Sequence, residues 1–183
     1  IKRPVQSSED LFPTVQKIMH EVKSNGDQAL LDFSVRFDGI APLKMVLGKT
    51  SMHESSKNVP SDLKKAIDLA IENIKKFHAA QITSALQIEP SAGVNCEQRA
   101  VPIEKVGLYI PGGTAPLFSS VIMLAVPALL AGCKEIVMIT PPDKSGNIPA
   151  SIQYAALKSG LDKIYCVGGA QGIAAKTYGT ESI

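Results

Sequence analysis

The chain of 183 residues is 45% hydrophobic, enough for a real core in one or two small domains, and carries 19 basic and 17 acidic residues for a formal charge of +2. That balance is spread along the sequence and excludes the basic footprint of a nucleic-acid or anionic-membrane binder. An aromatic fraction of 5% with no Trp argues against a base-stacking platform, and three cysteines without a C-x-x-C pair read as reduced, buried thiols of a cytosolic protein.

The N-terminus, "IKRPVQSSED", is polar and carries no signal-peptide pattern. In "SSEDLFPTVQKIMHEVKSNGD", Leu11, Val15, Ile18 and Val22 recur at helical spacing, with Ser8 or Asp10 as candidate cap. Asn25-Gly26 stops this helix, since glycine accepts the left-handed conformation, and Asp27 is placed to cap a second helix with Leu30, Phe33 and Phe37 inward. A third helix follows in "SDLKKAIDLAIENIKKFHAAQ", capped by Ser61, with Leu63, Ile67, Ala70, Ile74 and Phe77 as its stripe. Residues 1–93 therefore read as a helical lobe.

The pattern changes near Val94. "NCEQRAVPI" alternates like a strand, and "VGLYI" is an apolar run suited to a buried strand. An apolar helix over 115–131 comes next. At 15 residues Leu117–Ala131 is short for a membrane span, and it contains Ser119, Ser120 and Pro127, so it reads as a buried helix. "EIVMIT" is a strand, "PASIQYAALKSG" a helix, "KIYCVGG" a strand and "AQGIAAKTYG" a helix. Strands alternating with helices predict a parallel sheet with right-handed crossovers over 94–183. Three such strands make an incomplete sheet. The chain begins without Met and stops on "GTESI", as a piece of a longer protein would.

Ligands of an open parallel sheet bind beyond the carboxyl ends of its strands, and three loops lie there: "YIPGGTAP", "TPPDKSGN" and "VGGAQG". Gly112 and Gly113 allow close backbone approach, and Thr114 or the amides of the following helix suit an anion. Gly168 and Gly169 repeat the arrangement beside Gln171. Two glycine pairs point to a nucleotide or phosphorylated ligand. The standard dinucleotide fingerprint is absent, because the third glycine is missing and Thr140-Pro141-Pro142 replaces an acidic residue after the second strand. Tyr109 suits core packing and ligand stacking equally. Ser119 and Ser120 are one turn into a helix, with the helix backbone as ordinary partner and a cleft-facing role as the alternative. His20, His53 and His78 show no ligand spacing, Cys133 and Cys166 have no nearby His, and Glu104, Lys105 and Asp143 read as solvated loop charges.

Together these strings are diagnostic. "VGLYIPGGTAPLFSSVIMLAVPALLAGCKEIVMITPP" followed by "VGGAQGIAAKTYGTESI" closely resembles the NAD-binding region of the histidinol dehydrogenase family, and "NGDQALLDFSVRFDG", "AIENIKKFHAAQ" and "GVNCEQRAVPIEKVGLYIPGG" resemble it upstream. The resemblance implies an incomplete Rossmann-like nucleotide domain, and a homodimer whose subunits share each active site. It implies oxidation of L-histidinol through L-histidinaldehyde to L-histidine with two NAD and a zinc ion that positions substrate. It makes Tyr109 and Gln171 NAD contacts and Ser119 a residue near substrate; Gly112, Gly113, Gly168 and Gly169 rest on backbone access alone. The family's zinc ligands and its Glu-His acid/base pair lie in its later half, so no catalytic or metal residue is assigned here and the chain alone is expected to be inactive. Two other readings stay open: a stand-alone nucleotide-binding module, and a dimerisation element built on 1–93.

Overall fold

A computed structural model describes residues 11–113 and 115–183. The candidate caps Ser8 and Asp10, and Thr114 of the first glycine loop, lie outside the described residues. The elements in chain order are α1 (Phe12–Asp38), β1 (Val46–Gly48), α2 (Lys49–Ser56), α3 (Ser61–Ala79), β2 (Leu86–Ser91), β3 (Val94–Gln98), β4 (Lys105–Tyr109), α4 (Phe118–Leu130), β5 (Glu135–Ile139), α5 (Ala150–Lys158), β6 (Lys163–Tyr165) and α6 (Gly169–Tyr178).

The apolar runs "VGLY", "EIVMI" and "KIY" form β4, β5 and β6, paired in parallel in sequence order. β1 joins the far edge, antiparallel to β6, which gives the order β1-β6-β5-β4. Alternate strand residues face opposite layers, as the pleat demands. Leu108, Ile110, Met138, Ile164 and Cys166 pack with α2 to α5. Tyr109, Val137, Ile139, Tyr165 and Val167 pack with α1 and α6. The result is a sheet between two helical layers, the expected α/β architecture. Each large apolar side chain sealed in these layers, such as Leu30, Ile67 or Ile139, contributes roughly 1.5–3 kcal/mol.

The helices of residues 1–93 share these cores: Met52 and Ile67 lie with Leu108 in one, and Val22 and Leu30 with Ile139 in the other. The break expected at Asn25-Gly26 is present inside α1, where Gly26 takes φ 53 and ψ −134. Asp27 does not cap the second half of that helix; its carboxylate is taken by Ser182 instead. Ser61 is no cap either, because the chain enters α3 at Pro60 without a side-chain cap.

Burial of the stripes is partial. Ile18, Val22, Leu30 and Phe33 are buried, but Leu11 and Phe77 are more than 60% exposed, and Phe37 stacks on the outer side of Phe33 at 5.5 Å. The strand expected in "NCEQRAVPI" is confined to β3, which pairs with β2 in an exposed hairpin outside the main sheet. Neither β1 nor β2 was expected. No helix among the described residues is long and apolar enough to cross a membrane.

Candidate functional site

The three glycine-rich or proline-rich loops meet at the carboxyl edge of β4, β5 and β6. The ladder runs one residue past the strands, with the Ile110 amide donating to the Ile139 carbonyl (3.0 Å) and the Thr140 amide to the Tyr165 carbonyl (3.1 Å). All three loops therefore leave the sheet at one level. Pro141 then turns between its neighbours. A β-carbon on Gly112 would lie 2.7 Å from its Cγ, and one on Gly168 would lie 2.6 Å from its Cβ. Both glycines are required by this ring, because real β-carbons do not approach that closely.

A cavity of about 220 Å³ opens beside Pro141, lined by Gly112, Gly113, Leu117, Thr140 and Asp143 among others. A β-carbon on Gly113 would meet nothing within 4 Å, so this backbone faces open space. Asp143 is exposed yet ordered: its Oδ1 accepts from the Ser145 amide (2.8 Å), the Ser145 hydroxyl (2.6 Å) and the Asn147 amide (3.1 Å). Desolvation raises its pKa, but these hydrogen bonds outweigh it and hold the carboxyl below its usual range.

A second group lies on the other side of the sheet edge. Tyr109 is half-buried, and its hydroxyl accepts a hydrogen bond from the Gly169 amide at 3.3 Å, which ties the end of β4 to the start of α6. Gly169 has φ +63, a conformation that favours glycine, and the Gln171 amide group folds back against its Cα. Gln171 is 1% exposed, and neither its Nε2 nor its Oε1 has a hydrogen-bond partner. Such a group costs about 1–3 kcal/mol unless something supplies its bonds. An unfilled donor and acceptor in the first turn of α6 fit a polar ligand at this edge.

Gly112 and Gly113 thus share one cavity, Gly168 joins them through Pro141, and Tyr109, Gly169 and Gln171 form the adjoining group. Ser119 stands apart, exposed in the first turn of α4. Pro141 is the organising residue that sequence reasoning passed over. Its signal was the Pro-Pro pair at the end of a buried strand.

The metal case is different. Among the described residues there is no group of three or more His, Cys, Asp or Glu side chains placed to hold an ion. The described residues do not fit a zinc site.

Comparison with known proteins shows the family in which this fold occurs. The family model described as histidinol dehydrogenase matches residues 1–183. A histidinol dehydrogenase of Bacteroides fragilis is 50% identical over the whole chain, which spans 43% of that protein. A histidine biosynthesis trifunctional protein of Komagataella pastoris is 48% identical, again over the whole chain and 22% of its own length. The crystal structure of histidinol dehydrogenase from Elizabethkingia anophelis superposes with a TM-score of 0.93 at 45% identity, covering all of this chain and 42% of that one. The chain spans less than half the length of these relatives and belongs, as an N-terminal portion, to the histidinol dehydrogenase family.

Proposed function

We propose that this chain forms one wall of an NAD and histidinol cleft in an enzyme that oxidises L-histidinol through L-histidinaldehyde to L-histidine with two NAD. The observation that carries the reading is the paired arrangement at the sheet edge: Tyr109 holding the Gly169 amide, with the unpartnered Gln171 amide beside it. Family membership supplies the substrate class.

Bound NAD would supply the hydride acceptor for the oxidation. The residues here bind and orient. Gln171 offers one donor and one acceptor to a polar ligand, and Tyr109 offers a ring face beside the loop and fixes the first turn of α6. Gly113 leaves its backbone open to close approach, while Gly112 and Gly168 let Pro141 draw the loops together. Ser119, exposed in the first turn of α4, is assigned to the substrate side. The family's Glu-His acid/base pair lies in its later half, outside these residues, so 1–183 alone does not turn over. Residues 1–93 and 94–183 act as supporting and nucleotide-binding parts, and the complete enzyme works as a cytoplasmic homodimer.

The test uses a full-length family member that carries these 183 residues. Replacing Tyr109 or Gln171 with Ala should raise the Michaelis constant for NAD about tenfold, as loss of one well-placed polar contact would. An unchanged constant for both would remove the cleft assignment. Turnover of histidinol by 1–183 at the rate of a complete enzyme would show that the chemistry is not elsewhere.

A further inference from the structure

α6 carries Gly169 and Gln171 in its first turn, and its other end is held by a contact between residues more than 150 positions apart. The Glu181 Oε2 accepts the Asp27 amide at 2.8 Å. In return the Asp27 carboxylate accepts the Ser182 amide through Oδ1 (3.3 Å) and the Ser182 hydroxyl through Oδ2. Each acidic residue thus serves the other's backbone segment, as in a capping box, but between distant parts of the chain.

The break in α1 makes this possible. At Gly26 the helical ladder is interrupted, so the half-helix after it begins with free amides, and a carboxylate is the preferred group at such an end. A β-carbon on Gly26 would run into the Glu181 carboxylate. Gly26 therefore does two things: it supplies the positive φ, and it leaves the space that Glu181 fills. One turn earlier, the Lys23 ammonium sits 5.3 Å from the ring centroid of Tyr178, the last residue of α6.

We infer that Asp27 and Glu181 are positioning residues, a reciprocal latch that pins the carboxyl end of α6 to the break in α1 and so keeps Gly169 and Gln171 in register with Tyr109. This rests on the reading of Tyr109 and Gln171 as NAD contacts. α6 has ten residues, about 15 Å of stiff rod, so a shift at one end is carried to the other. Its amino end follows β6 after three residues and is tied to β4 by the 3.3 Å hydrogen bond from the Gly169 amide to the Tyr109 hydroxyl. Ala174 and Ala175 pack the middle of α6 against α1 and the sheet, and the latch adds the polar contacts that fix its far end, so packing and latch together set the orientation of the first turn.

Hydrogen exchange by mass spectrometry on the 183-residue chain tests the latch directly. Asp27→Ala should speed exchange of the amides over 168–172 about tenfold, the effect of losing charge-assisted hydrogen bonds, with little change over β4 and β5. Asp27→Asn, which keeps an acceptor for Ser182, should restore most of the protection. Ser182→Ala removes only one hydroxyl and serves if Asp27→Ala does not fold; it should show the same local pattern with smaller amplitude. Exchange at 168–172 that is unchanged, or that rises equally across the whole sheet, overturns the inference. NAD titration of a full-length family member that carries these residues, and of the same variants made in it, is read separately. No binding by any of them, with a local rise in exchange, would remove the NAD reading and leave the latch standing. Binding that is equal in parent and variants overturns the positioning role.

Discussion

Gly168 faces the ring of Pro141 so closely that a β-carbon added there would sit 2.6 Å from the proline Cβ. The backbone at Gly168 is extended, with φ −119 and ψ −165, so any residue is conformationally allowed and the requirement is steric alone. Gly168→Ala and Gly112→Ala should each cost about 1–3 kcal/mol of stability, the usual penalty for forcing a methyl into a packed contact. Gly113 differs although it adjoins Gly112. Its β-carbon would meet nothing, so Gly113→Val should leave stability within about 0.5 kcal/mol while weakening NAD binding by closing the approach to the backbone. Urea unfolding and the Michaelis constant for NAD of a full-length family member separate the two effects. A Gly113→Val protein as unstable as Gly168→Ala, or with unaltered affinity, would refute the distinction.

The contrast shows how far local patterns reach. The glycine pairs could be found by inspection, because glycine at a strand-to-helix junction has a local meaning. Pro141 could not be seen as their common neighbour, since Gly112 and Gly168 are 56 positions apart and meet only when β5 lies between β4 and β6. The three parallel strands were readable as unbroken apolar runs. β1 was not, because three residues ending in Gly48 show no periodicity, and the antiparallel pairing to β6 supplies its order. β2 was hidden by Pro90, which lacks an amide hydrogen and coincides with the irregular register between Ile88 and Ser91. The helix break at Gly26 was readable from Asn-Gly-Asp, but the use made of Asp27 depends on Ser182 at the other end of the chain.

Gln171 gives a sharper opposition between stability and function. Its amide is sealed from solvent and makes no hydrogen bond, which is unfavourable in the absence of a ligand. Gln171→Met keeps the volume and removes the polar atoms. The variant should be more stable than the parent by about 1 kcal/mol, because an unsatisfied pair is replaced by a thioether of the same size. Its NAD affinity should fall. Thermal unfolding with and without NAD reads both: the unliganded melting temperature rises, and the upward shift produced by NAD shrinks. A Met variant less stable than the parent would mean that the amide is satisfied within the protein, and the ligand reading of Gln171 would fail with it.

The three cysteines span the range of exposure, and their chemistry should follow it. Cys96 is exposed on the hairpin, Cys133 is half-buried after α4, and Cys166 is buried at the end of β6. Burial in an apolar layer pushes the Cys166 thiol up to about 12, since the thiolate would have to form away from water. At pH 8 an aromatic disulfide reagent should therefore modify Cys96 first and Cys133 more slowly, and reach Cys166 only on unfolding, because the thiolate is the nucleophile. The same shift has a consequence for stability. The folded value lies above the unfolded one near 9, so the contribution of the protonated thiol is complete below about pH 9. It is lost as pH rises from there toward 12, where the unfolded chain releases the proton that the folded chain retains. Cys166→Ala should flatten this alkaline fall in the urea midpoint, and Cys96→Ala should not. Prompt labelling of Cys166 in the folded chain, or an identical alkaline profile in the two variants, would show that β6 does not seal this thiol from solvent.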